Sequence, residues 1–411
     1  MTTFRLMGIV AVIALAFDSH EPQAQSTDPI KIPALTSMTG PLAILGQDGK
    51  KGIEIAVDQI NKAGGIVGRK LVVELTDSQG KPDTARREME RLVRLQSAPM
   101  VLGCDISAAT ASAAQFAEAS QVVHFNANAV SSEILDRHYH WYFTQQITNN
   151  NEADSVLAFL KTLSGDLRGL KIAILYEDSP RGAGTGELVR KLLDGEGVKP
   201  AAEVSYNRSE RNLLPFMKKL QETEANVLVW AGSTEDVVAG IKAMQQLDFT
   251  PYVVGVGGGA GNPRLPTLLD PKFIDRLKLS NIDYFSSDFK RAAALVDEYR
   301  TRYNAPPSSY VGMCYAGGMT LKRILEAAYK KSANPTRADI QSVMRELNIP
   351  GEQTAIPGEF IKFDKDGRNL GPCASYAMER RGDPEGDGLS SRHCDRQNHA
   401  FEVGAACHAE Y

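Results

Sequence analysis

The chain has 411 residues, 43% hydrophobic and 23% charged, enough for two domains of ordinary size with proper cores. Its 46 Lys+Arg against 50 Asp+Glu leave a net charge of -4. That balance offers neither the basic footprint of a nucleic-acid binder nor an acidic tail.

Met1 to about Ser26 reads as a secretory signal: Arg5 supplies the charge, Leu6 to Phe17 the apolar core, and Ala24-Gln25-Ser26 the small residues of a cleavage site. The apolar run is shorter than the roughly 20 residues of a spanning helix. The first cysteine is Cys104, so a lipidated N-terminus is not supported. The chain is expected to be exported and cleaved.

Ile30 to Leu35 is apolar and feeds a Gly40-Pro41 turn. Ile53, Ala56, Val57 and Ile60 then share one helical face, and Gly64-Gly65 stops that helix. Arg69 to Leu75 alternates like a strand. Next come a helix from Pro82 to Leu95, a buried strand at Met100–Leu102, an alanine-rich helix at Ala108–Ala119 and a strand at Val122–Phe125. A polar loop, Asn126 to Ser132, leads to a crossover strand at Trp141–Thr144.

The alternation then restarts. Helices at Ala153–Leu163, Gly186–Leu193, Leu214–Leu220 and Val237–Leu247 interleave with strands at Lys171–Tyr176, Ala202–Ser205, Val227–Trp230 and Tyr252–Val256. The pattern predicts an α/β protein with two doubly wound parallel sheets. From Asp288 it changes to long amphipathic helices, Arg291–Tyr303, Tyr310–Lys331 and Ala338–Leu347. Beyond Gly382 a Gly/Asp-rich run passes into a stretch rich in Arg, His and Cys, expected to be disordered or loosely packed.

The opening unit carries a resemblance. Gly40-Pro41-Leu42-Ala43 with Gly46, then Gly52, Ala56, Ile60-Asn61, Gly64-Gly65-Ile66 and Gly68-Arg69-Lys70-Leu71, resembles the start of type I periplasmic solute-binding proteins. The branch is the leucine/isoleucine/valine-binding kind that serves ABC importers. The resemblance implies two lobes joined by a three-strand hinge: residues 27–146 and 284–355 in the first, 147–283 and 356–381 in the second, with re-entry near Gly358 to Asp364. Residues 382–411 would be an atypical tail. It also implies a periplasmic location, no enzymatic activity, no cofactor, a monomer, and permease subunits in the inner membrane as partners.

The five cysteines are Cys104, Cys314, Cys373, Cys394 and Cys407. Relatives often carry a bridge ending near Cys104, but the partner position falls in Ser78-Gln79-Gly80, so that bridge is expected not to form. Cys314, inside an apolar helical run, reads as a buried thiol. The three C-terminal cysteines can pair in an oxidising compartment.

Four stretches could hold a ligand. Ser107, after a strand end, can cap the next helix, or it and the first-turn amides of Ala108 and Ala109 can take a carboxylate. The resemblance favours the second role. In the loop at Asn128-Ala129, backbone contacts to the ligand could persist while the relatives' hydroxyl is lost. Arg181 stands where relatives place a stacking tyrosine, adding a cation unless it pairs with Glu177 or Asp178. Gly258 stands where amino-acid binders place an acid for the ligand's ammonium. Leu45 would line the first lobe and Ser233 the second.

Gly255 to Ala260 also fits a dinucleotide fingerprint, but Pro263 and Pro266 follow where its helix should begin. Cys394, His399, Cys407 and His408 fit no standard zinc spacing. The expected ligand is therefore a small carboxylate captured by lobe closure: an amino acid or, since the acid is missing and a cation gained, rather an aromatic or dicarboxylic acid. The alternatives are a ligand-sensing receptor domain on this fold, or a nucleotide-cofactor oxidoreductase.

Overall fold

In the computed structural model the described residues are 28–287 and 289–371, with the backbones of Tyr376–Glu379 and Ser390–Arg392. The signal segment and Cys373, Cys394, His399, Cys407 and His408 lie outside them.

The first sheet is laid down by β1 (Ile30–Thr36), α1 (Ala43–Lys62), β2 (Leu71–Asp77), α2 (Pro82–Arg94), β3 (Met100–Gly103), α3 (Ser107–Ala119), β4 (Val123–Asn126), the short α4 (Ser132–Leu135) and β5 (Tyr142–Thr144). Its strands run parallel in the order β2-β1-β3-β4-β5. Every residue of β3 and β4 is buried, as a sheet covered on both faces requires. α1 stops where the sequence says it should, with Gly64 and Gly65 at φ +101° and +75°.

The second sheet follows with α5 (Asn149–Leu163), β6 (Ile172–Glu177), α6 (Pro180–Gly195), β7 (Ala202–Tyr206), α7 (Leu214–Glu222), β8 (Val227–Ala231), α8 (Thr234–Leu247), β9 (Tyr252–Val256), α9 (Leu265–Leu268), α10 (Pro271–Arg276) and β10 (Leu279–Asp283). Its parallel part runs β7-β6-β8-β9-β10. One apolar cluster packs on each of its faces, the larger around Trp230 and Met244, the other around Ile174 and Val229.

The chain then returns to the first sheet. α11 (Ala293–Tyr303), α12 (Ser309–Lys331) and α13 (Arg337–Glu346) share one core with β1, β3 and α1. Gly358 to Asp364, expected to re-enter the second lobe, stays with the first. There β12 (Phe360–Ile361) pairs with β11 (Ile349–Pro350), and Phe363 sits edge-on to Phe143 at 5.4 Å between ring centres. The return to the second sheet is made by β13 (Tyr376–Glu379), antiparallel to β10, with β14 (Ser390–Arg392) antiparallel beyond it. Three residues expected in a loose tail thus belong to a sheet edge.

The cysteine reading is corrected. Cys104 and Cys314 form a disulfide, 5.8 Å apart at Cα and 210 residues apart in sequence. It ties the end of β3 to α12, two elements that nothing local in the sequence brings together. Gly49 on α1 makes the room, since a Cβ there would lie 2.8 Å from Cys104 Sγ and 3.0 Å from Cys314 Sγ.

Candidate ligand-binding site

Between the C-terminal ends of the two sheets lies a cavity of about 40 Å³. The first lobe contributes Leu45, Ser107, Asn128 and Ala129; the second contributes Arg181, Ser233, Gly257 and Gly258. Seven of the eight expected site residues therefore line one space. Ala108, the eighth, is not among its lining residues and leans against the first core. Strand ends at a switch between sheets are where open α/β folds place ligands.

The first wall is built on α3. Ile106, extended at φ -73°, is its N-cap, so Ser107 is the first helical residue and caps nothing. Buried to 4% exposure, its Oγ has no partner among the described residues. The helix start thus keeps open amides beside an unused hydroxyl, both suited to an anion. Asp105 accepts from Ser37 Oγ and from the Ile106 N–H at 2.8 Å, and burial raises its carboxyl above the usual range. Asn128 donates to the Asp105 carbonyl at 3.0 Å, and its Oδ1 has no partner among the described residues.

The backbone contacts expected of Ala129 are already engaged. Asn126 accepts from the Ala129 N–H at 2.9 Å and donates to its carbonyl at 2.7 Å. Ala129 is a wall.

On the opposite side α6 begins at Pro180, not Gly186. Ser179 accepts from the Gly182 N–H at 3.1 Å, and Pro180 supplies the first helical φ. The glycines of its first turns serve packing: a Cβ at Gly182 would meet the Glu177 carbonyl and one at Gly186 the Tyr176 ring. Arg181 is consequently on a helix, with its guanidinium turned inward. Nη2 donates to Glu152 Oε1 at 3.2 Å and to the Val256 carbonyl at 2.6 Å. Thr185 Oγ1 holds the other oxygen of Glu152 at 2.7 Å. Gly257, at φ +75°, leaves space that a side chain would deny the guanidinium. The unpaired cation expected at Arg181 is therefore neutralised, by Glu152 and not by either neighbour considered from sequence.

Acids are present as well. Glu177 accepts from Ser179 Oγ at 3.0 Å and pairs with Arg208 at 3.0 Å. Neither its Oε2 nor Arg208 Nε makes an aligned hydrogen bond among the described residues. Asp283, 3% exposed, accepts from the Tyr284 N–H at 2.8 Å, and burial pushes its carboxyl up to about 6 against the Ser309 hydroxyl that lowers it. Gly258 packs against that same Ser309 and Tyr310. The expectation of no acid near Gly258 fails, because the acid comes from the neighbouring strand. Ser233 lines the cavity, yet its hydroxyl closes a capping box with Asp236 at 2.8 Å.

The lobes also touch directly: Arg264 Nη2 reaches Asp48 Oδ2 on α1 at 3.0 Å, where Ser308 Oγ also donates at 2.8 Å.

Residues 29–383 match the family described as periplasmic binding protein. The chain belongs to that family. This binding protein is 28% identical over 378 residues to Leu/Ile/Val-binding protein homolog 8 of Brucella suis, covering 88% of its own chain and 90% of the relative. In fold it is similar to the branched-chain amino acid transporter substrate binding protein LivJ of Streptococcus pneumoniae in complex with isoleucine (19% identity, TM-score 0.71, covering 89% and 100% of the chains). It is also similar to a solute binding protein of an ABC transporter from Rhodopseudomonas palustris in complex with 3,4-dihydroxy benzoic acid (17% identity, TM-score 0.73, covering 89% and 96%).

Sequence reasoning missed Glu152, Arg208 and Asp283 as site residues, and took Glu177 only as a possible partner for Arg181. Glu152 lies inside α5, Arg208 past β7 and Asp283 at the end of β10, each an unremarked charge in its own segment. Asp283 alone had a signal, as a charged residue closing a fully buried strand.

Proposed function

We propose that this protein is the substrate-binding component of an ABC importer, capturing a small carboxylate ligand in the periplasm by closure of two lobes. The observation that carries this reading is the cavity wall at Ser107: a helix start with open amides, beside a buried hydroxyl and a buried Asn128 carbonyl oxygen that have no partner among the described residues. Such polar atoms are satisfied when a ligand arrives. The second lobe supplies the other face, so ligand contacts made only when the lobes meet favour the closed form.

The residues touched are Leu45, Ser107, Asn128 and Ala129 from one lobe, and Arg181, Ser233 and Gly258 from the other, with the α3 amides next to Ala108. Arg181 acts here as a paired group that shapes the wall. The argument from sequence against an ammonium loses its basis, since Asp283 is in the cleft and Arg181 is compensated. Ligands of the related structures, isoleucine and 3,4-dihydroxy benzoic acid, both combine a carboxylate with hydrogen-bond donors.

Calorimetry on stripped protein against a carboxylate panel, with small-angle scattering of the same samples, tests the reading. A bound acid should decrease the radius of gyration of wild type, and Ser107→Ala should weaken that acid. Binding with no change in shape would refute capture by closure. Cell fractionation and N-terminal sequencing test export, with a mature start expected near Ser26.

A further inference from the structure

Building on the reading of the cleft as a carboxylate site, we infer that the end of the ligand remote from its carboxylate, facing the second lobe, carries its own hydrogen-bond donor (a hydroxyl or carboxamide, distinct from any α-ammonium) recognised by Glu177, Arg208 and Asp283. Plain aliphatic or aromatic acids, and dicarboxylic acids, are poor ligands.

Two observations carry this. Glu177 is 1% exposed and Asp283 3%, and both line the cavity together with Arg208. Glu177 Oε2 and Arg208 Nε are 3.0 Å apart but misaligned, so each has hydrogen-bonding capacity left over. An apolar group closed over them would bury both unmet, whereas a group that donates to Glu177 and accepts from Arg208 would complete them. Charge narrows the choice further. Glu152, Glu177 and Asp283 bring three carboxylates, and Arg181 and Arg208 bring two guanidiniums. Among the described residues Arg181 is paired with Glu152 and Arg208 with Glu177, and the hydrogen bonds of Asp283 are to the neutral Asn281, Tyr284 N–H and Ser309. A second anion would meet net negative charge there, and a donor would meet an acceptor.

Calorimetric titration of stripped wild-type protein with two matched pairs tests this: 4-hydroxybenzoate against benzoate, and glutamine against leucine. The polar-ended member of at least one pair should bind at least about tenfold tighter. Glu177→Gln and Asp283→Asn should bring that pair to within about threefold, chiefly by weakening the polar member. The wild-type comparison stands even where a variant fails to fold. Benzoate and leucine binding as tightly as their partners would overturn the inference and leave carboxylate capture standing. No binding by any of the four would remove both.

Discussion

The two walls of the cleft are made of the same part, a strand end running into a helix start, yet different forces hold them. The α3 wall is fixed by hydrogen bonds among neutral groups, with Asn126 gripping the Ala129 loop and Asn128 the Asp105 carbonyl. It is also fixed covalently. Cys104 lies just ahead of Ser107, and Cys314 follows Met313, which lines the cavity from α12. The α6 wall is held by buried ion pairs, Arg181 with Glu152 and Arg208 with Glu177. A neutral, stapled wall can leave amides and a hydroxyl open for an anion. In a charged wall, each charge must be paired or shifted before the ligand arrives, as Arg181 and Arg208 are paired and Asp283 is shifted, because an unpaired buried charge costs several kcal/mol.

This contrast can be broken from either side. The largest effect should come from the staple. Converting Cys104 and Cys314 together to serine opens a loop of 210 residues, and the chain-entropy account puts that loop at about 5 kcal/mol. Urea unfolding of wild type, with and without reductant, against the double variant measures it. Next is Glu152→Ala, which leaves Arg181 buried without its carboxylate and should cost about 3 kcal/mol of stability. Glu152→Gln should recover part of that loss. Equal melting temperatures for Glu152→Ala and wild type would show that the α6 wall does not depend on the pair.

Ser107→Ala should behave in the opposite way. Its hydroxyl has no protein partner among the described residues, so unfolding should change little. Affinity for a carboxylate should fall roughly tenfold, one charge-assisted hydrogen bond. The charged wall should also respond to pH. The folded-state value of Asp283 is raised to about 6, so its carboxyl gains a proton as pH falls through 6, and binding of a ligand with an ammonium or hydroxyl should weaken there. Asp283→Asn should flatten that dependence. The smallest effect is expected at the contact between lobes. Arg264 is 40% exposed, so Arg264→Ala should reduce ligand affinity only a few-fold, by roughly 0.5–1 kcal/mol. Its signature would be faster ligand release with unchanged ligand preference.

How much was legible follows from range. The capped helices show it well. Apolar spacing placed α12 almost to the residue and Gly64-Gly65 marked the end of α1 though not its start at Ala43, but α6 was read six residues late because Gly182 and Gly184 looked like loop. They are small because Glu177 and Asn149 press against them. That is tertiary crowding overriding propensity. Ser107 and Asn128 were legible because strand ends precede them. Asp283 was not, because β10 pairs with β9 and returns its acid to the loop at Gly258 from 25 residues further along the chain.

The sequence by itself determined the alternation of strands and helices, the two sheets and the place of the cleft, since these rest on periodicity and turn residues within short windows. Only the tertiary structure decided which charges the cleft holds uncompensated, which cysteines meet, and where the chain rejoins its second sheet. Each of these depends on groups far apart in the chain that packing brings within a few ångströms, where desolvation forces every charge to be paired or shifted.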